Sequence, residues 1–93
     1  MLTLDSSLKI PAHVMAAVVE QDAVLLNTQT NQYYALDEVG ARCWALLNES
    51  RSLRESCQVL LEEYEVEPAQ LEQDILDLLR DLVAHDLVEI LPG

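Results

Sequence analysis

Ninety-three residues, 51% of them apolar, suffice for one domain with a modest core. Seventeen carboxylates against five basic side chains give a formal net charge of -12, which excludes nucleic acid and disfavours an anionic membrane surface, because both draw their electrostatic attraction from Lys and Arg. There is no Phe, one Trp (Trp44) and three Tyr, so the core must come from Leu, Val, Ile and Ala.

The N-terminal stretch MLTLDSSLKIPAHVM has neither the basic start nor the apolar run of a signal peptide, and no 18 consecutive apolar residues occur anywhere. A cytoplasmic protein is the expectation. Residues 1–12 have no clear period and read as an irregular arm of a single 1–93 domain. His13 to Glu20 and Ala23 to Asn27 are Val- and Leu-rich and predict two strands joined by a tight turn at Gln21 and Asp22. The polar stretch Thr28 to Gln32 then leads into Tyr33 to Leu36, a third strand that completes an antiparallel meander and forms its edge.

Asp37 is placed to cap a first helix over Glu38 to about Asn48, with Val39, Cys43, Leu46 and Leu47 at helical spacing and Gly40 as the one unfavourable residue. Ser52 and Glu55 form a capping box for a second helix carrying Leu53, Cys57, Leu60, Leu61 and Tyr64 on one stripe. Pro68 suits the first turn of a third helix reaching about His85, and Leu87 to Ile90 adds a short extended segment. The resulting fold class is α+β: a three-stranded antiparallel sheet followed by three helices, a winged helix-turn-helix-like domain with its strands first.

No catalytic, metal or cofactor motif is present. His13 and His85 are far apart in sequence, and the carboxylate run Glu62, Glu63, Glu65, Glu67 has the look of solvated helix ends. Cys43 and Cys57 stand alone in separate predicted helices and read as reduced core thiols. The chain is therefore read as a non-enzyme with no cofactor.

Two surfaces carry more information. The strand Tyr33, Tyr34, Ala35, Leu36 has no Pro or Lys to blunt its edge, so it is either shielded by its own tyrosines or free to receive an extended peptide. In the third helix, Leu71, Ile75, Leu76, Leu78, Leu79, Leu82 and Val83 spread over roughly 160°, wider than a minimal core stripe. Asp74, Asp77 and Asp81 form an acidic ridge beside Leu78, while Gln73 and Arg80 border the other side. Part of that stripe either lines a groove or is spent entirely on the core.

The run LLNTQTNQYYALDEVGARCWALL, with the acidic third helix ending in DLVEI, resembles the PqqD family of peptide-recognition elements in ribosomally made, post-translationally modified peptide pathways; the likeness covers about Val14 to Ile90. The resemblance implies a winged helix-turn-helix fold in which a precursor's leader segment adds beside the third strand and lies against the third helix. The implied peptide-binding residues are Tyr33, Tyr34, Ala35 and Leu36 on the strand, and Asp74, Ile75, Asp77, Leu78, Leu79, Asp81 and Leu82 on the helix. The stretch from Asn27 looks closer to the lasso-type members, which serve a leader peptidase and a cyclase, than to the pyrroloquinoline quinone members, which serve a radical enzyme. Two other readings remain open from the residues alone: a winged-helix regulator, which would need a basic recognition helix this chain lacks, and a structural subunit that self-pairs through its edge strand.

Overall fold

Polar turn residues divide the Val- and Leu-rich first half into short strands, and capping residues set the starts of the helices that follow. The computed structural model describes residues 2–49 and 52–91; Met1, at the head of the expected arm, lies outside them. In chain order the elements are β1 (Leu8–Lys9), β2 (Val14–Val19), β3 (Asp22–Asn27), β4 (Gln32–Leu36), α1 (Glu38–Asn48), α2 (Leu53–Glu63), α3 (Pro68–Ala84) and β5 (Glu89–Ile90). The three-stranded antiparallel meander followed by three helices is thus the architecture read from the sequence, and the winged-helix description fits it only loosely.

The main sheet has the order β2-β3-β4, so among the described residues both outer strands present an unpaired edge. A second, two-stranded sheet pairs β1 with β5, joining the N-terminal segment to the end of the chain. That segment also buries Leu2 in the core and ties Asp5 to Arg54 through two hydrogen bonds of 2.9 and 3.1 Å.

Alternation along the strands separates the two faces of the sheet. Ala23, Leu25 and Asn27 of β3 and Leu36 of β4 are buried, and α1 lies against both strands. Leu46 of α1, Leu53 and Leu60 of α2, and Ile75, Leu79 and Leu82 of α3 complete the core. Each fully buried Leu contributes about 1.5–3 kcal/mol relative to leaving it in water. Cys43 and Cys57 are both free and buried, and burial pushes the Cys43 thiol up to about 12.

The helix starts follow their capping chemistry. The Asp37 carboxylate accepts the Gly40 N–H at 2.9 Å, and Ser52 and Glu55 form the reciprocal box. The tight turn between β2 and β3 differs from expectation by one residue: it is Glu20–Gln21, with Glu20 in the left-handed region at φ 61°, and Asp22 already pairs with Val19.

The end of α3 is equally specific. Asp86 occupies the left-handed position at φ 58°, its N–H donates to Val83 O at 3.1 Å, and the Leu87 N–H donates to Leu82 O at 2.8 Å. These bonds make a Schellman motif in which glycine is the preferred residue. An acidic side chain there also faces the negative end of the helix dipole. Asp86→Gly is therefore expected to stabilise the fold by about 1 kcal/mol, raising Tm by about 4–8 °C in a calorimetric melt. An unchanged or lowered Tm would show that the left-handed residue carries no strain.

Candidate functional site

The hydrogen-bond phase of the sheet decides which groups of β4 are available. A two-residue turn closes on a pair that exchanges both backbone hydrogen bonds, which here is Val19 and Asp22. The same phase then holds for Ala17–Val24 and Met15–Leu26, and the 2.9 Å bond from the Thr28 N–H to His13 O continues it. Val24 and Leu26 thus spend their backbone groups on β2. Ala23, Leu25 and Asn27 spend theirs on β4, opposite Leu36, Tyr34 and Gln32. Tyr33 and Ala35 remain, with N–H and C=O directed at the open edge.

Side chains alternate in the same way. Tyr34 and Leu36 turn toward the helices, whereas Tyr33, 73% exposed, and Ala35 turn to the outer face. Tyr34 is half-buried: its hydroxyl donates to Asp81 Oδ2 at 3.2 Å, and its ring meets His85 edge-on at 5.4 Å between centroids. Burial, then the Asp81 carboxylate, raises the Tyr34 hydroxyl above its ordinary range. The buried Asn27 anchors the other end of the hairpin, because its side chain accepts the Gln29 and Thr30 N–H groups and donates to His85 O.

Beside this edge lies a groove of about 430 Å³. One wall is Tyr34, Ala35 and Leu36; the other is Gln70, Leu71, Asp74, Ile75 and Leu78 of α3, with Val66 at one end. Asp37, Val39 and Gly40 at the start of α1 complete it. A methyl group on Gly40 would stand 3.4 Å from both Leu36 and Leu78 and 3.2 Å from Asp37 Oδ1, so the absent side chain lets strand and helix approach. A glycine inside a helix costs about 1 kcal/mol against Ala and asks for a packing reason; that cost was the sequence signal for this part of the groove.

The structure sorts the sequence-predicted residues into groups. Tyr34, Ala35, Leu36, Asp74, Ile75 and Leu78 come together around the groove. Leu79 and Leu82 are fully buried in the core behind it and supply no groove wall. Asp77 accepts hydrogen bonds from Gln73 and Arg80, both at 2.9 Å, so of the three acidic residues expected to form a ridge it is the one engaged by a cation. Asp81 joins through Tyr34, while Tyr33 offers backbone to the edge and its ring to the outer face.

That outer face is unusual for an antiparallel sheet, whose solvent side is normally polar. Met15, Leu26 and Tyr33 form one row across it, and Ala17, Val24 and Ala35 the next, followed by Val19. Met15 is 60% and Val19 59% exposed. Exposed apolar rows of this kind are a common feature of interaction surfaces.

A second cavity of about 560 Å³ lies between residues 5–10 of the N-terminal segment and the junction of α1 and α2, with no residue of the three-stranded sheet in its lining. Among the described residues no cluster of three His, Cys, Asp or Glu could hold a metal ion, and no helix is long and apolar enough to cross a membrane.

Known proteins share both the sequence pattern and this fold. Residues 22–88 match the family model described as PqqD, coenzyme PQQ synthesis protein D. Two solved structures are similar over nearly their whole length. TbiB1 in complex with the TbiA(beta) leader peptide superposes with a TM-score of 0.84 at 36% identity, covering 91% of this chain and 99% of that one. Lasso peptide synthetase B1 complexed with the leader peptide gives a TM-score of 0.79 at 27% identity, covering 92% and 99%. Comparison with curated protein sequences gave no match.

Proposed function

The chain belongs to the PqqD family, and from that premise we propose that it is a non-catalytic adaptor that captures the leader segment of a ribosomally made precursor peptide and delivers it to a leader peptidase and a cyclase of lasso-peptide biosynthesis. The observation that carries this reading is the open edge of β4 beside the groove, in a chain whose relatives at 36% and 27% identity were solved with leader peptides. An extended peptide added at that edge pairs its backbone with Tyr33 and Ala35. Alternate side chains then enter the groove between β4 and α3. The added strand gives affinity through the backbone, and the groove selects side chains; covalent chemistry belongs to the enzymes. Such an adaptor works in the cytoplasm, where the precursor is made.

Delivery needs a second surface, and the apolar outer face of the sheet supports one. It begins at Tyr33 and Ala35, so a bound leader extends it by one strand, and an enzyme docking there would meet adaptor and leader together. Met15→Glu puts a charge on an exposed part of that face, away from the groove. It is expected to leave leader affinity within about twofold while lowering leader removal by the partner peptidase at least about tenfold. Normal processing by this variant would remove the outer face from the delivery step.

The family description favours a second reading, delivery of the pyrroloquinoline quinone precursor to a radical enzyme. Calorimetric titration with the TbiA(beta) leader peptide and with the pyrroloquinoline quinone precursor separates the two. Saturable binding of the former alone is the expected result, and binding of the latter alone would overturn the lasso assignment.

A further inference from the structure

The geometry points to a basic peptide as the occupant of the β4–α3 groove, with a Lys or Arg of that peptide held by Asp74 or by Asp81. This rests on the leader-binding reading and adds the chemical class of the peptide. Asp74 lies on the groove wall with Ile75 and Leu78, and Asp81 follows it on the same helix by seven residues, about 10.5 Å along the axis. Among the described residues both carboxylates have only neutral donors: Gln70 Nε2 to Asp74 Oδ1 at 2.8 Å, and the Tyr34 hydroxyl to Asp81 Oδ2 at 3.2 Å. The nearby cation Arg80 is engaged by Asp77 at 2.9 Å on the adjoining flank. Among the described residues neither Asp74 nor Asp81 belongs to an ion pair, so one uncompensated charge stands on the largely apolar groove wall and a second stands beside Tyr34, while Asp37, which also lines the groove, caps α1.

A Lys or Arg matches that combination, since its methylene stem lies along Leu78 while its head reaches a carboxylate. Same-face residues of an added strand are about 6.8 Å apart, so an apolar side chain in the groove and a cation two positions away fit within the span of the two carboxylates. The net charge of -12 strengthens the attraction at longer range and repels acidic peptides.

The test is to select binders from a display library of random peptides on the wild-type protein and on D74N/D81N, whose amides keep the Gln70 and Tyr34 contacts possible. Wild-type binders should be enriched in Lys and Arg two positions from an apolar residue, and high salt should weaken them about tenfold. The variant should bind the same peptides about tenfold more weakly and lose the enrichment, with an unchanged circular dichroism spectrum. If the variant selects equally basic peptides, the diffuse charge of the protein is responsible and the assignment to these two carboxylates is overturned. Neutral binders from the wild type overturn it as well, while leaving leader capture intact. Binders that leave the Tyr33 and Ala35 amides unprotected against exchange would overturn leader capture itself.

Discussion

Ala35→Pro is expected to abolish leader binding in a folded protein, and Tyr34→Pro to unfold the protein. Proline removes a backbone donor and places a ring where the N–H pointed. At Ala35 that direction is the open edge, and the side chain is exposed, so the ladder to β3 survives and destabilisation should stay within about 1 kcal/mol. The incoming strand loses a hydrogen bond and meets the ring. Together these should weaken leader affinity at least about 100-fold. At Tyr34 the same substitution breaks the pair with Leu25, removes the bond to Asp81 and opens a hole above His85. A loss of about 3 kcal/mol or more follows. Thermal melts with titration of the TbiA(beta) leader peptide measure both effects. Equal behaviour of the two variants would mean that the peptide does not pair with this edge.

Leu78→Asp should likewise destroy leader binding, by at least about 100-fold, because it places a charge on the apolar wall next to the existing charge of Asp74. Leu78 is only half-buried, so the new carboxylate can keep its water in the free protein and the fold should lose no more than about 2 kcal/mol. Leu82→Asp differs in kind. Leu82 is 1% exposed within the core, and an unpaired charge there costs about 4 kcal/mol or more, enough to unfold a domain of this size. Full leader affinity in Leu78→Asp, with helical circular dichroism intact, would move the binding surface away from α3.

The apolar stripe of α3 explains why these neighbours part company. Its width indicated in the sequence that one helix serves two purposes, but helical period alone placed Leu78, Leu79 and Leu82 on one continuous surface. Packing divided them: the core takes Leu79 and Leu82, and Leu78 is left at the rim of the groove. The acidic ridge divided similarly. Asp77 takes Arg80 and Gln73 of its own helix as partners, whereas Asp74 and Asp81 have neutral donors, a difference that helical angle alone does not register.

Local chemistry in the chain determined the fold. Asp37, the Ser52–Glu55 box and Pro68 marked where the helices begin, the polar turns separated the strands, and the charge of -12 weighed against nucleic acid without reference to the fold. These signals act over a few residues and are readable in order. Which of Tyr33 to Leu36 offers its backbone to a ligand was beyond them. That choice depends on the hydrogen-bond phase that begins at Glu20–Gln21, passes across β3 and reaches β4. Shifting the turn by one residue, as the sequence suggested, would have reversed it. The groove is tertiary for the same reason: Gly40, Val66 and Leu78 come from three parts of the chain, and only their packing leaves an apolar space beside an open strand edge.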